Sequence, residues 1–153
     1  MKLKIKKIES DYPYNLLLIA DETIEGINTY LFDSQVYVAL IEENPVGVFC
    51  LLPIDDEVVE LMNIAVSEDM QNKGIGSRML SEAERIAREQ SYKRIILGTA
   101  DCGVKQIRFY EKNSYSQYDV KKNYFLEKYP DEPIFEDAIQ LKDMVMLEKR
   151  LES

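Results

Sequence analysis

Gly74 and Gly76 stand in the run Gln71-Asn72-Lys73-Gly74-Ile75-Gly76, between an apolar strand-like stretch and a long amphipathic one. A glycine-bearing turn from strand into helix leaves a row of backbone N–H groups without helical partners, and the helix dipole adds partial positive charge there. That arrangement suits a diphosphate. Glycines let phosphates come close to the main chain, and glycine takes positive φ without strain. Spacing narrows which diphosphate. A Walker loop needs Lys-Ser or Lys-Thr after its last glycine, and neither glycine here has one. A dinucleotide fingerprint needs three glycines, and only G-x-G is present. What is left is Q-x-x-G-x-G after a strand. Those residues alone also fit a helix start with two packing glycines, so the neighbouring elements decide.

A second chemical group lies in the strand before this loop. Glu60 interrupts the apolar run Val58 to Val66. A carboxylate embedded there would have a raised pKa and could serve as a base. Strand alternation would equally turn it to solvent. The chain has no histidine, the commonest metal ligand and general base, which argues against a zinc site or a Ser-His-Asp triad. No metal is expected. Cys50 and Cys102 have no metal spacing and read as reduced thiols of a cytoplasmic protein.

The elements that must hold these groups follow from periodicity. Lys2 to Ile8 alternates and reads as a strand, and Ser10-Asp11 as a cap for a helix over Tyr14 to Ala20. Residues 21–34 read as a short helix and a loop. Gln35 to Ile41, Val46 to Leu52 and Val58 to Val66 form an antiparallel meander, with Glu42-Glu43-Asn44-Pro45 as the first turn and Pro53 to Glu57 as the second. The helix after the glycine loop runs to about Gln90 on the apolar stripe Ile75, Met79, Leu80, Ala83, Ile86 and Ala87. Arg94 to Thr99 is a buried strand, Gly103 to Lys112 a helix, and Tyr115 to Tyr118 opens another strand. Glu127 to Asp137, with two prolines and five acids, reads as a loop, and Ala138 to Leu147 as the last strand.

At 153 residues the chain reads as a single domain over 1–153 with its own core. No apolar stretch is long enough to span a bilayer, and no apolar run follows the basic start as in a signal peptide. Charge is uneven. Residues 11–70 hold thirteen Asp or Glu and no Lys or Arg, whereas residues 71–153 are close to neutral, and the net charge is -9. Nucleic-acid binding wants a basic face and is disfavoured. The acidic half serves solubility, or attracts a cation.

The order β-α-α-β-β-β-α-β-α-β-β, an α/β (α+β) fold with a mixed, mostly antiparallel sheet flanked by helices, resembles the GNAT superfamily of N-acetyltransferases. The likeness is carried by Gln71 to Gly76, by Asn63-Ile64-Ala65-Val66 with Val66 five residues before Gln71, by Phe109-Tyr110-Glu111-Lys112, and by the ending Met144-Val145-Met146-Leu147-Glu148-Lys149. Two departures stand out. Asp101 occupies the place of an Asn that often contacts the cofactor, and Ser114-Tyr115 replaces the usual Gly-Phe.

The resemblance implies direct acetyl transfer from acetyl-CoA to an amine, on a small molecule or on a protein or peptide. A GNAT-like module that binds CoA without turnover is the rival of another class. The implied cofactor-binding residues are Ile64, Ala65 and Val66 along the pantetheine arm, Gln71, Asn72, Lys73, Gly74, Ile75, Gly76 and Ser77 around the pyrophosphate, and Asp101, Tyr110 and Lys112. Tyr110 is implied as the group that meets the departing thiolate. Glu60, six residues before Val66, stands where the histone-acetylating branch places its glutamate, so it is the candidate base. A main-chain N–H near Ile64 is the candidate oxyanion donor. The acid-only stretch then lies on the acceptor side and favours a cationic amine. A homodimer is left open.

Overall fold

The computed structural model describes residues 2–136 and 138–152. The chain forms two compact units, one running to Ile95 and taking in Leu151, the other running from Ile96 to Arg150. In the first unit, β1 (Lys4–Ile8), β2 (Gln35–Ile41), β3 (Asn44–Pro53) and β4 (Val58–Val66) pair antiparallel in that order. Helices α1 (Tyr14–Ala20) and α2 (Ile24–Asn28) cover one face, where Leu16, Leu17, Ile27, Tyr30 and Leu31 pack on Val36, Val38, Val48, Cys50 and Ala65. Helix α3 (Ile75–Glu89) covers the other with the expected stripe. It comes so close that a methyl group at Gly47 would stand 2.6 Å from the Met79 sulfur.

One irregularity matters for the site. Cys50 faces Asn63 and Leu51 faces Leu61, so Met62 has no partner across the ladder. Such a bulge resets the alternation of the strand. Leu52 faces Glu60 and packs on the α1/α2 core. Glu60 and Asn63, three residues apart, therefore lie on one face of β4 rather than on opposite faces.

The second unit holds α4 (Val104–Lys112), β6 (Ser116–Lys121), α5 (Tyr124–Lys128), the two-residue pair β7 (Phe135–Glu136) and β8 (Ile139–Gln140), and β9 (Met144–Arg150). Strand β5 (Arg94–Ala100) crosses the boundary between the units. Strand β9 lies beside β5 and pairs antiparallel with β6.

The expected element order is present, with α5, β7 and β8 added between β6 and β9. The structure corrects several local readings. Helix α1 is capped by Pro13 without a side-chain bond, and Asp11 sits at φ 53 outside the helix, so Ser10-Asp11 is not its cap. The first hairpin turns on Glu42 and Glu43, both at positive φ, and Asn44 and Pro45 already belong to β3. The stretch read as a loop from 127 begins inside α5 and contains β7, while Asp137 lies outside the described residues. The last strand starts at Met144, because Ala138 at φ 66 turns the chain into β8 first. Short elements with one or two apolar residues carry too little periodicity to be read.

Candidate active site

The candidate residues fall into two groups, one in each unit. In the first, β4 delivers the chain to the loop through a single 3-10 turn at Glu68–Met70. Gln71 donates from Nε2 to the Val66 carbonyl at 3.0 Å, so its side chain closes the loop back onto the strand end. Its own N–H points to the Glu68 carbonyl at 3.4 Å. Asn72 has φ 63, and Gly74, the N-cap of α3, has φ 80. The first main-chain bond of α3 runs from Arg78 N–H to the Gly74 carbonyl at 3.2 Å. Among the described residues, the N–H groups of 72–77 donate to no protein group. No side chain caps this helix.

A diphosphate fits that cradle. The free N–H groups offer donors at the positive end of a fifteen-residue helix. A methyl group at Gly74 would meet nothing within 4 Å, so the space over this turn is open. Lys73 is exposed beside it. Of the two glycines only Gly74 takes positive φ, since Gly76 is already helical. Behind the loop, Ala65 is buried in the α1/α2 core and Ile64 and Val66 are half-buried, so Ala65 can serve a ligand only through its main chain.

The bulge brings a polar chain to the same face as Glu60. Asn63, only 4% exposed, donates from Nδ2 to the Leu17 carbonyl at 3.0 Å and to the Tyr30 oxygen at 3.1 Å. Tyr30 donates its own proton to Asp21 Oδ2 at 2.8 Å. These partners fix the amide: a flipped Asn63 would set its oxygen against the Leu17 carbonyl and against a hydroxyl whose proton is already given away. Asn63 Oδ1 consequently has no donor. Burial raises the Tyr30 phenol far above its ordinary value, and the Asp21 carboxylate adds to the shift. The adjacent Cys50 thiol is pushed up to about 12, chiefly by burial. Sequence reading missed this chain. Its one signal was an amide inside an apolar strand, at Asn63.

In the second unit Tyr110 lies on α4, half-buried between two aromatic neighbours. Its ring meets Phe109 at 5.2 Å and Tyr115 at 5.8 Å between centroids, both edge-on. Desolvation alone raises its phenol above the ordinary tyrosine value, so it stays a neutral donor at physiological pH. Lys112 is exposed on the last turn of α4. Asp101 is exposed and gives its main-chain N–H to the Asp143 carbonyl at 3.0 Å.

A family model for GNAT acetyltransferases matches residues 4–115. An uncharacterized N-acetyltransferase of Bacillus subtilis, YvbK, is 33% identical over 147 residues, which is 96% of this chain and 94% of that protein. A GNAT acetyltransferase from Elizabethkingia anophelis, solved with acetyl-CoA bound, superposes with a TM-score of 0.93 at 36% identity, covering 97% of this chain and 98% of that one. A Bacillus subtilis acetyltransferase solved with CoA gives 0.89 at 34%, covering 99% of this chain and all of the other. Fold and family thus define an acetyltransferase, and these solved relatives hold acetyl-CoA or CoA. The chain belongs to the GNAT family of acetyltransferases.

Proposed function

We propose that this acetyltransferase passes acetyl directly from acetyl-CoA to the amine of a cationic small molecule. The observation that carries the acceptor class is the charge of one segment of the first unit: residues 11–70 have thirteen acids and no base. Glu60 and Asp21 belong to that set, and Glu60 lies on the face of β4 that α1 and α2 cover. A field of that sign gathers ammonium groups and repels carboxylates.

In this reading the N–H groups of 72–77 and Lys73 hold the pyrophosphate. Ile64 and Val66 align the pantetheine arm through their main chain. Glu60, directly or through water, takes the proton that an alkyl ammonium must lose before its nitrogen can attack. The nitrogen bonds to the acetyl carbon, the carbon–sulfur bond breaks, and Tyr110 gives the leaving sulfur a proton or a strong hydrogen bond; the new amide nitrogen releases its surplus proton to water, from which Tyr110 regains any proton it gave. The reading includes a cytoplasmic location, consistent with Cys50 and Cys102 outside any disulfide. No helix among the described residues is long and apolar enough to cross a membrane.

The test is release of CoA thiol on mixing protein, acetyl-CoA and an amine panel. Diamines and polyamines should turn over faster than neutral-bodied monoamines of similar length. Preference for a lysine peptide would move the acceptor to protein. Tight acetyl-CoA binding without thiol release from any amine would make the chain a binding module. Tyr110→Phe should lower kcat by roughly ten-fold or more with little change in KM for acetyl-CoA. Wild-type kcat in that variant would return Tyr110 to a packing role.

A further inference from the structure

We infer that Lys149 is a positioning residue for Tyr110, acting at once on the end of α4 and on the ring of Tyr115; this rests on the reading of Tyr110 as the donor to the leaving sulfur. Lys149 Nζ donates to the Asn113 carbonyl at 3.1 Å and stands 5.6 Å from the centroid of the Tyr115 ring. One ammonium thus fastens two things that both touch Tyr110.

The first is the helix end. Asn113 is the C-cap of α4, and its N–H points to the carbonyls of Phe109 and Tyr110 at 3.3 and 3.0 Å. Its Nδ2 adds a bond to the Phe109 carbonyl at 2.8 Å. Tyr115 N–H returns to the Tyr110 carbonyl at 3.0 Å. Ser114 takes φ 75 to make this return, the conformation for which the family's usual glycine is suited. The last turn of α4 collects negative partial charge, and Lys149 joins Lys112 of that turn as a cation beside it. The second is the ring. Tyr115 is 2% exposed and forms the edge-on wall against Tyr110. A cation over its face holds that wall in place.

The departure from Gly-Phe to Ser114-Tyr115 therefore has a partner in the last strand. Tyrosine supplies an aromatic face for the cation, and Lys149 holds the strained turn shut. A hydroxyl that must meet a leaving atom tolerates little angular error, because a catalytic group has to be held within about 0.5 Å of its productive position. Lys149 touches no reacting atom in this scheme. It sets where the Tyr110 ring stands.

The experiment compares Lys149→Met and Lys149→Arg in the full chain, with acetyl-CoA and the fastest amine of the panel. Lys149→Met should lower kcat about ten-fold and leave KM for acetyl-CoA within about two-fold. Lys149→Arg should restore most of the loss, since a guanidinium also donates to a carbonyl and stacks on a ring. In a Tyr110→Phe background Lys149→Met should cost little more. Where Tyr110→Phe is itself slowed, a Lys149→Met variant with lowered thermal stability and wild-type kcat overturns the inference. So does an equal loss in the Tyr110→Phe background. A readout free of turnover separates the two ideas: ring resonances of Tyr110 in carbon-13-labelled protein should shift or broaden in Lys149→Met and recover in Lys149→Arg. Unchanged resonances overturn the brace even if Tyr110 is the donor. Shifted resonances with a fully active Tyr110→Phe keep the brace and remove the donor.

Discussion

Asn63 shows how much one amide can decide. Its nitrogen ties α1 to β4 through the Leu17 carbonyl and orders Tyr30, which in turn holds Asp21. Its oxygen is buried and without a donor, a state that costs about 1–3 kcal/mol in general. Asn63→Leu relieves the oxygen but removes one donor from the Leu17 carbonyl, which keeps the Asp21 N–H at 3.1 Å, and the donor to the Tyr30 oxygen. The variant should lose about 2 kcal/mol of stability, and Tyr30→Phe about 1 kcal/mol, because Asn63 then keeps its bond to Leu17. Urea midpoints of the two single variants and the double variant check this. Losses that simply add would mean that the two side chains do not act as one chain. Gly74 makes the opposite demand, for the lack of a side chain. Gly74→Val would force a β-branched residue into φ 80, costing about 1–2 kcal/mol, and would project into the open space over the turn. Acetyl-CoA binding should vanish by calorimetry while the fold persists. Gly76→Val should also weaken binding, through bulk beside the N–H groups rather than through strain. Wild-type affinity in both would remove the loop from the cofactor site.

At the level of elements, the sequence was legible wherever periodicity ran long. Helix α1, strands β2 and β4 and the stripe of α3 stand where alternation and the i, i+4 pattern put them, because each buries a continuous apolar face. The bulge at Met62 was not legible. It depends on the register of β3 against β4, which is a property of two strands, and it decides which face Glu60 shares with Asn63. Helix α5 was also missed. It starts at Asn123 with φ 56 and no side-chain cap, and it is held by a residue twenty positions away. Asp143 accepts from the Asn123 N–H at 2.8 Å and pairs with Lys122 at 3.4 Å. The Asn123 N–H first, and then the Lys122 ammonium, keep the Asp143 carboxyl below its ordinary value. A lowered value means that the contact favours folding above the ordinary carboxylate range and is lost as pH falls through the folded value. The protection of amides 123–128, taken relative to their intrinsic exchange rate at each pH, should therefore fall below pH of about 4. Asp143→Asn should exchange faster at neutral pH but lose that acid step. Protection in wild type that stays flat down to acid unfolding would show that α5 does not depend on this carboxylate.

For the whole molecule the governing quantity is the separation of charge along the chain. All thirteen acids of residues 11–70 lack a cation of their own segment, while the later half carries its lysines and arginines among acids, with pairs such as Arg85 with Glu82 and Glu89 on α3. Exposed pairs of that kind add little to stability. An unbalanced segment acts at longer range, since fields add over many carboxylates while each contact fades alone. If that segment guides the acceptor, attraction must weaken with salt, because exposed charges are screened within about 8–10 Å near physiological ionic strength. KM for a polyamine should then rise several-fold between low and high salt, and KM for a neutral-bodied monoamine of similar length should rise less. KM for acetyl-CoA is the internal control. In the proposed reading main-chain N–H groups and Lys73, outside the acid-only segment, hold the cofactor at short range, so salt should shift this KM in a way unrelated to the number of charges on the amine. Neutralising Asp21 and Glu22 together should reduce the salt slope for the polyamine more than that for the monoamine. A salt-independent KM for the polyamine, or faster turnover of an anionic acceptor, would show that the acidic half only keeps the protein in solution.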